Sequence, residues 1–367
     1  MRQLLLFFFF LSISVSLFAQ TDSTSIEKKS TNLPKIQLSA YLETYYIYDF
    51  NEPENHVRPE FFYAYHRHNE LALNLGLIQA DYETKNVRAR LGLMAGTYSN
   101  INLAAEEGVL RNIYEAYIGT RLSKNKKLWL DAGVFSAHIG FESAIGKDCW
   151  NMTRSLLAEN SPYYESGVKV SYTSDNEKWF LSGLLLNGWQ RIQRVDGNQT
   201  VAFGHQITFS PTEKITLNSS SFVGNDYPTA EKKMRYFHNF FTQIDFSEKF
   251  GIIAGFDIGA EQKEKGSSEY STWYSPILIA RYKPSEKIAF AARVEHYNDE
   301  NGVIVPNINQ NSFEATGFSL NFDYSITDNL LWRVEYRSLN NRNDYFLRDN
   351  ELVSTNSFLG SALAVSF

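Results

Sequence analysis

Two histidines and a carboxylate gather in His66-Arg67-His68-Asn69-Glu70. In an extended chain residues two apart share a face, so His66 and His68 could offer two imidazoles to a divalent metal. Metal sites of this kind need three or four protein ligands, and no further ligand stands at a diagnostic spacing, so no metal is expected. A hydrolytic centre needs a nucleophile beside a base that a third group orients. His138 with Ser143, and His205 and His238 with nearby acids, supply the residue types without a motif that fixes them. Cys149 is the chain's one cysteine, which leaves no disulfide within the chain, and only Lys147 nearby would favour its thiolate. Neither a phosphate-cradling loop nor a dinucleotide glycine pattern occurs between a strand and a helix. The reading is of a protein without catalysis or cofactor, whose working side chains are the charges that recur along its strands.

Those charges lie at period two. Ile36, Leu38, Ala40, Leu42, Thr44, Tyr46, Tyr48 and Phe50 fall on one face, with Gln37, Ser39, Tyr41, Glu43, Tyr45 and Asp49 on the other. Val87, Ala89, Leu91 and Leu93 back onto Arg88 and Arg90, and Leu330, Trp332, Val334 and Tyr336 alternate with Leu331, Arg333, Glu335 and Arg337. One face is apolar and the other charged. The same alternation predicts sixteen strands, at 36–50, 70–81, 87–98, 110–122, 128–141, 163–173, 179–189, 200–209, 215–224, 235–246, 250–261, 273–283, 288–297, 314–326, 330–338 and 356–367. Misassignment of a weak segment, such as 200–209 or 273–283, would make the number fourteen or eighteen.

The links between these segments alternate in length. Residues 82–86, 123–127, 174–178, 210–214, 247–249, 284–287 and 327–329 are short and rich in turn formers. Between them lie longer links, such as 51–69, 142–162, 298–313 and 339–355. Short turns at one rim and long loops at the other describe an all-β, transmembrane, antiparallel up-and-down barrel in an outer membrane. Trp129, Trp179, Phe250 and Trp332 open strands after short turns, and Tyr172, Phe209, Phe246, Tyr282 and Tyr324 close them, which predicts an aromatic girdle. Phe50, Tyr98, Trp189, Tyr236, Tyr297 and Tyr336 are expected at the opposite rim.

Composition agrees. The 367 residues carry 35 Lys+Arg against 41 Asp+Glu, a net charge of −6, which removes the basic footprint of a nucleic-acid binder. Twenty-seven Phe, 22 Tyr and 6 Trp are too many aromatics for a disordered chain. Arg2 followed by the apolar run from Leu4 to Phe18 and by Ala19-Gln20 reads as a signal peptide over 1–19. Residues 20–34 read as a flexible periplasmic lead, and 35–367 as the barrel. Leu363, Val365 and the terminal Phe367 resemble the ending that barrel-assembly machinery reads, so that machinery and outer-membrane lipid are the expected partners.

A sixteen-stranded barrel is too wide for side chains to fill, so its lumen is expected to hold water and pass small hydrophilic solutes. Arg88, Arg90, Arg111, Glu115 and Arg121 would line one wall. The loop 142–162, with Glu142, Lys147, Asp148, Arg154 and Glu159, would fold inward and set a transverse field against that wall. The alternative is a plugged barrel serving as a surface adhesion or structural scaffold. Lipid-facing residues alone leave open whether barrels associate as a homo-oligomer.

Particular segments sharpen this. Tyr41-Leu42-Glu43-Thr44-Tyr45-Tyr46, Arg67-His68-Asn69-Glu70 and Leu73-Asn74-Leu75-Gly76-Leu77 resemble the OmpL-like family of outer-membrane β-barrel porins. So do Asn112-Ile113-Tyr114-Glu115-Ala116, Trp129-Leu130-Asp131-Ala132-Gly133, His138-Ile139-Gly140-Phe141-Glu142-Ser143 and Leu184-Leu185-Leu186-Asn187-Gly188-Trp189-Gln190. The similarity runs from about residue 37 to the end and implies an outer-membrane porin, with no catalytic residues to carry over.

Overall fold

The structure, a computed structural model, describes residues 36–367. The expected signal peptide and periplasmic lead lie outside the described residues. Sixteen strands close into one antiparallel barrel. They are β1 (Gln37–Asp49), β2 (Leu71–Glu83), β3 (Val87–Ala95), β4 (Ile113–Arg121), β5 (Lys127–Ser136), β6 (Tyr164–Thr173), β7 (Trp179–Leu186) and β8 (Ala202–Thr212). There follow β9 (Ile215–Gly224), β10 (Arg235–Asp245), β11 (Phe250–Gln262), β12 (Tyr270–Tyr282), β13 (Ile288–Asp299), β14 (Phe313–Thr327), β15 (Leu330–Asn341) and β16 (Thr355–Ser366). Each pairs with its neighbours in sequence, and β1 pairs with β16, Tyr41 opposite Ser366 through Asp49 opposite Phe358. Two further bonds extend that seam: Ala40 N–H donates to the Phe367 oxygen at 2.7 Å, and Phe367 N–H to Ala40 at 3.0 Å. Closure removes the sheet edges that would otherwise stay unpaired in lipid.

The short turns explain themselves locally. The hydroxyls of Thr84, Ser123, Ser174 and Ser247 each accept a backbone N–H, from Val87, Lys126, Trp179 and Phe250, at 2.9, 3.2, 3.0 and 3.1 Å. A hydroxyl at the turn's first position thus replaces a ladder bond where the chain reverses.

Period two then sorts the side chains. Leu42, Ile78, Leu91, Ile118, Leu185, Phe240, Val294, Leu320 and Leu363 lie exposed on the outer face, where lipid would cover them. Tyr41, Glu43, Tyr45, Ile47 and Asp49 of β1 point inward and are buried. In the girdle, Trp179 stacks on Phe209 with ring centroids 4.2 Å apart, and Phe246 on Phe250 at 5.8 Å. Trp129 departs from the expected girdle: it shares parity with buried Asp131 and faces the lumen, where Arg88 lies over its ring at 4.5 Å. At the other rim Phe50, Tyr236 and Tyr336 are outside, while Tyr98 and Tyr297 are buried within. Trp189 also turns inward, edge-on to Phe222 and Phe237.

Three connections differ from the alternation pattern. β5 stops at Ser136 rather than running to 141, because His138 turns in to bond Glu165 and the Ser221 oxygen. A helical turn, Thr97–Asn102, stands where the third strand was expected to end. The last long connection carries a small hairpin of Phe346–Arg348 and Glu351–Val353.

Candidate functional site

The link between β5 and β6 is folded into the barrel: every residue from Cys149 to Pro162 is buried. Three wall strands hold it, each offering inward polar side chains at every second residue. From β13, Arg293 Nη1 donates to the Thr153 oxygen at 2.7 Å, and Glu295 accepts the Leu156 N–H at 2.7 Å. From β14, Asn321 accepts the Met152 N–H at 2.9 Å, and Ser319 Oγ accepts from Asn151 Nδ2 at 3.1 Å. From β15, Glu335 accepts the Thr153 N–H at 2.6 Å, while Arg333 donates to the oxygens of Gly146 and Cys149 at 2.6 and 2.9 Å. Arg337 Nη1 donates to the Arg154 oxygen at 2.9 Å.

The wall charges also neutralise one another. Arg293 Nη2 lies 2.9 Å from Glu335, Arg337 Nη2 lies 2.7 Å from Glu295, and Arg333 Nε lies 2.8 Å from Asp323. Arg293, Arg333 and Arg337 are buried, so their wall is sealed by the loop and does not line water. Buried charges persist where each is paired and the remaining donors find acceptors, and the loop's main-chain oxygens are those acceptors. An apolar contact completes the seat: Trp150 and Leu157 cluster with Ile253, Ile277, Ile279 and Ala291.

Inside the loop, Arg154 donates to the oxygens of Ser143, Met152 and Ala144 at 2.5, 2.8 and 2.9 Å. Glu142 accepts from the Ser155 N–H at 2.9 Å and from its hydroxyl. Ser155 in turn caps the single turn Leu156–Glu159. Gly146 passes against β1, where an added Cβ would meet Glu43 Oε1 at 2.2 Å. Glu159 accepts the Tyr63 N–H at 2.9 Å, joining this loop to the link between β1 and β2, whose Phe61, Phe62 and Tyr65 are also buried. Burial pushes the Glu159 carboxyl up to about 7, against the opposing pull of Arg154 and the Tyr63 and Ala64 N–H groups. Burial likewise pushes the Cys149 thiol up to about 11.

The sequence-expected loop residues therefore divide. Glu142, Arg154 and Glu159 are buried and hold the loop together, whereas Lys147 and Asp148 are the two whose side chains reach solvent. A field from the carboxylates of Glu142 and Glu159 across open water is not what the geometry provides.

The expected arginine wall divides as well. Arg88 grips Asp131 through Nε at 2.7 Å and Nη2 at 2.5 Å, and Arg90 bridges Asp81 at 2.5 Å and Glu115 at 2.9 Å. Arg121 sits at the short-turn end of β4, bonded to the Lys126 oxygen. Arg111 is not on a strand: it lies in the turn Gly108–Asn112 at the long-loop end and donates to the oxygens of Glu106 and Ala104. A cavity of about 540 Å³ remains along this side, lined by residues of β2 to β7.

His66 and His68 do not converge. His66 Nδ1 meets the Phe62 oxygen at 2.9 Å, and His68 Nδ1 accepts the Asp49 N–H at 2.9 Å. His205 and His238 face outward beside Ser219. Among the described residues no group of three or more His, Cys, Asp or Glu is placed to hold a metal ion. The β13 to β15 network was missed as a loop anchor. Its signal lies in Arg333, Glu335 and Arg337, charges at three successive inward positions of one strand.

A closed sixteen-stranded antiparallel barrel, apolar outside and carrying an inserted loop, defines the porin class of outer-membrane channel. The family described as "Putative beta-barrel porin-2, OmpL-like" matches residues 35–367, and the chain belongs to it: it is an outer-membrane β-barrel porin. No curated protein matches the chain in sequence. Among solved structures, an anion-selective porin from Comamonas acidovorans superposes with a TM-score of 0.60 at 7% identity, covering 91% of this chain and 100% of that one. The outer-membrane channel DcaP of Acinetobacter baumannii gives 0.58 at 12% identity, covering 92% and 99%. The trimer form of Vibrio cholerae OmpT gives 0.59 at 9%, covering 91% and 99%. At these identities the likeness is one of fold.

Proposed function

We propose that this porin passes small hydrophilic solutes by passive diffusion, without catalysis, through a lumen whose width is set by the loop between β5 and β6. The observation that carries the reading is the asymmetry of the two walls. The β13 to β15 wall is dry and bound to the loop, while the β2 to β7 wall keeps half-exposed arginines and a cavity of about 540 Å³. A path would follow the second wall, and on the loop Lys147 and Asp148 face solvent. Single-channel recording of the refolded protein in a planar bilayer tests this: steady ohmic steps are expected.

The extent of loop burial favours a second reading, a non-conducting barrel acting as an adhesion or structural scaffold. A folded, heat-modifiable barrel that gives no steps would move the assignment there. Association into a homo-oligomer, and delivery by a signal peptide and barrel-assembly machinery acting on Leu363, Val365 and Phe367, belong to the same proposal. Leu363 and Phe367 are exposed on the outer face of the last strand, which supports that role for them.

A further inference from the structure

The cavity along β2 to β7 lies at the short-turn end of the lumen, and its volume falls in the range of small-ligand sites. Its charged lining is Glu83, Arg88, Arg121, Lys127, Asp131 and Lys169, four cations against two anions. The anionic charge nearest the centre is already consumed, because Arg88 holds Asp131 through two hydrogen bonds. Lys127 is engaged with Glu177 in the turn beyond. Two cations remain. Arg121 donates to a main-chain oxygen at 3.1 Å, and Lys169 Nζ lies 4.5 Å over the Phe135 ring. Among the described residues neither has a carboxylate in ion-pair contact.

Register places these two groups on one patch. Arg121 of β4 is opposite Trp129 of β5, and Lys169 of β6 is opposite Asp131, two residues further along β5. Two strand spacings and one side-chain repeat separate them by about 12 Å at Cα, so holding one ligand between them requires Arg121 to swing off the Lys126 oxygen and Lys169 off the Phe135 ring. The apolar lining between and beside them is aromatic: Tyr117, Trp129 and Phe180.

We propose that this cavity binds a small aromatic carboxylate, with its carboxylate between Arg121 and Lys169 and its ring against Tyr117, Trp129 and Phe180. The inference rests on the porin reading for its biological sense, since it names the solute class the lumen would favour, but its test does not. A half-desolvated ammonium with no carboxylate in direct contact gains more from an anion than a surface lysine does. The aromatic walls add apolar contact that an inorganic anion could not use.

Benzoate titrated into the full chain refolded in detergent micelles tests it, read as the tryptophan fluorescence lost in Trp129→Phe. A saturable change is expected, absent with benzyl alcohol. Lys169→Gln and Arg121→Gln should each weaken benzoate roughly tenfold or more, since each removes a charge-assisted hydrogen bond. Lys169→Arg should restore most of it, and Lys126→Gln in the neighbouring turn should change nothing. No saturable signal, or equal signals from benzoate and benzyl alcohol, would overturn the site while single-channel steps still upheld the porin. Saturable benzoate binding by a barrel that never conducts would uphold the site and overturn the porin reading.

Discussion

Arg337 on the barrel wall donates to the main-chain oxygen of Arg154 in the inserted loop, 2.9 Å away. Two residues of like charge are thus joined through a backbone oxygen, with Glu295 supplying the counter-charge at 2.7 Å. The loop's course is set by its carbonyl and N–H groups, and the wall residues that read them are charged.

Arg337→Ala should loosen the loop without opening the barrel. Truncating one member of a buried ion pair costs about 3–5 kcal/mol, because the partner charge is left in low dielectric. The expected outcome is a lower thermal midpoint of the micellar protein together with larger, noisier single-channel steps. Unaltered midpoint and steps would mean that the loop is held by its apolar seat at Trp150 and Leu157.

Acidity should act through Glu159. Its carboxyl is raised to about 7 by burial from an ordinary value of 4.5, so the folded protein holds the proton more tightly than the unfolded chain does. The stabilisation is therefore complete below about pH 4.5 and is lost as pH rises towards 7. Loop seating should weaken between pH 5 and pH 8, seen as more frequent opening in bilayer recordings at the higher pH. Glu159→Gln should abolish that dependence, and a profile identical to the parent's would place the titrating group elsewhere.

Reducing the wet wall's positive charge should alter selectivity. Arg90→Gln leaves Asp81 and Glu115 without their shared cation, 2.5 and 2.9 Å away in the parent. Local fixed charge becomes negative, and the reversal potential under a salt gradient should shift towards cations. No shift would show that permeating ions do not pass this wall.

On the outer face, Leu320→Arg should impair membrane insertion, whereas Leu320→Ala should be tolerated. Leu320 lies mid-strand and is 60% exposed, where lipid would surround it. An arginine near the bilayer midplane costs about 2–4 kcal/mol. Equal yields of the two variants in outer-membrane fractions would contradict the assignment of that face to lipid.

The strand number and the inward set were legible because period two is a local signal that burial on one face enforces. Arg88, Arg90, Arg333 and Arg337 could be placed inside from their neighbours alone. Aromatics at strand ends were less legible, since nearness to a turn says nothing about face. For Trp129 the face follows from its parity with Asp131, whereas its position after a turn points to the girdle. The loop's inward course had a signal in its length, but its partners did not. Thr153 meets Glu335 across 182 positions, and long-range pairing of backbone groups with charged side chains leaves no periodic trace. The early end of β5 was hidden for a similar reason, since His138 is turned inward by Glu165 and by a main-chain oxygen 83 positions away.

The central claim is that the loop between β5 and β6 sets the width of the lumen. Single-channel conductance of the refolded protein, with and without residues 145–158, tests it most directly. A several-fold larger conductance on deletion is the predicted result, and the same conductance from both proteins would contradict it.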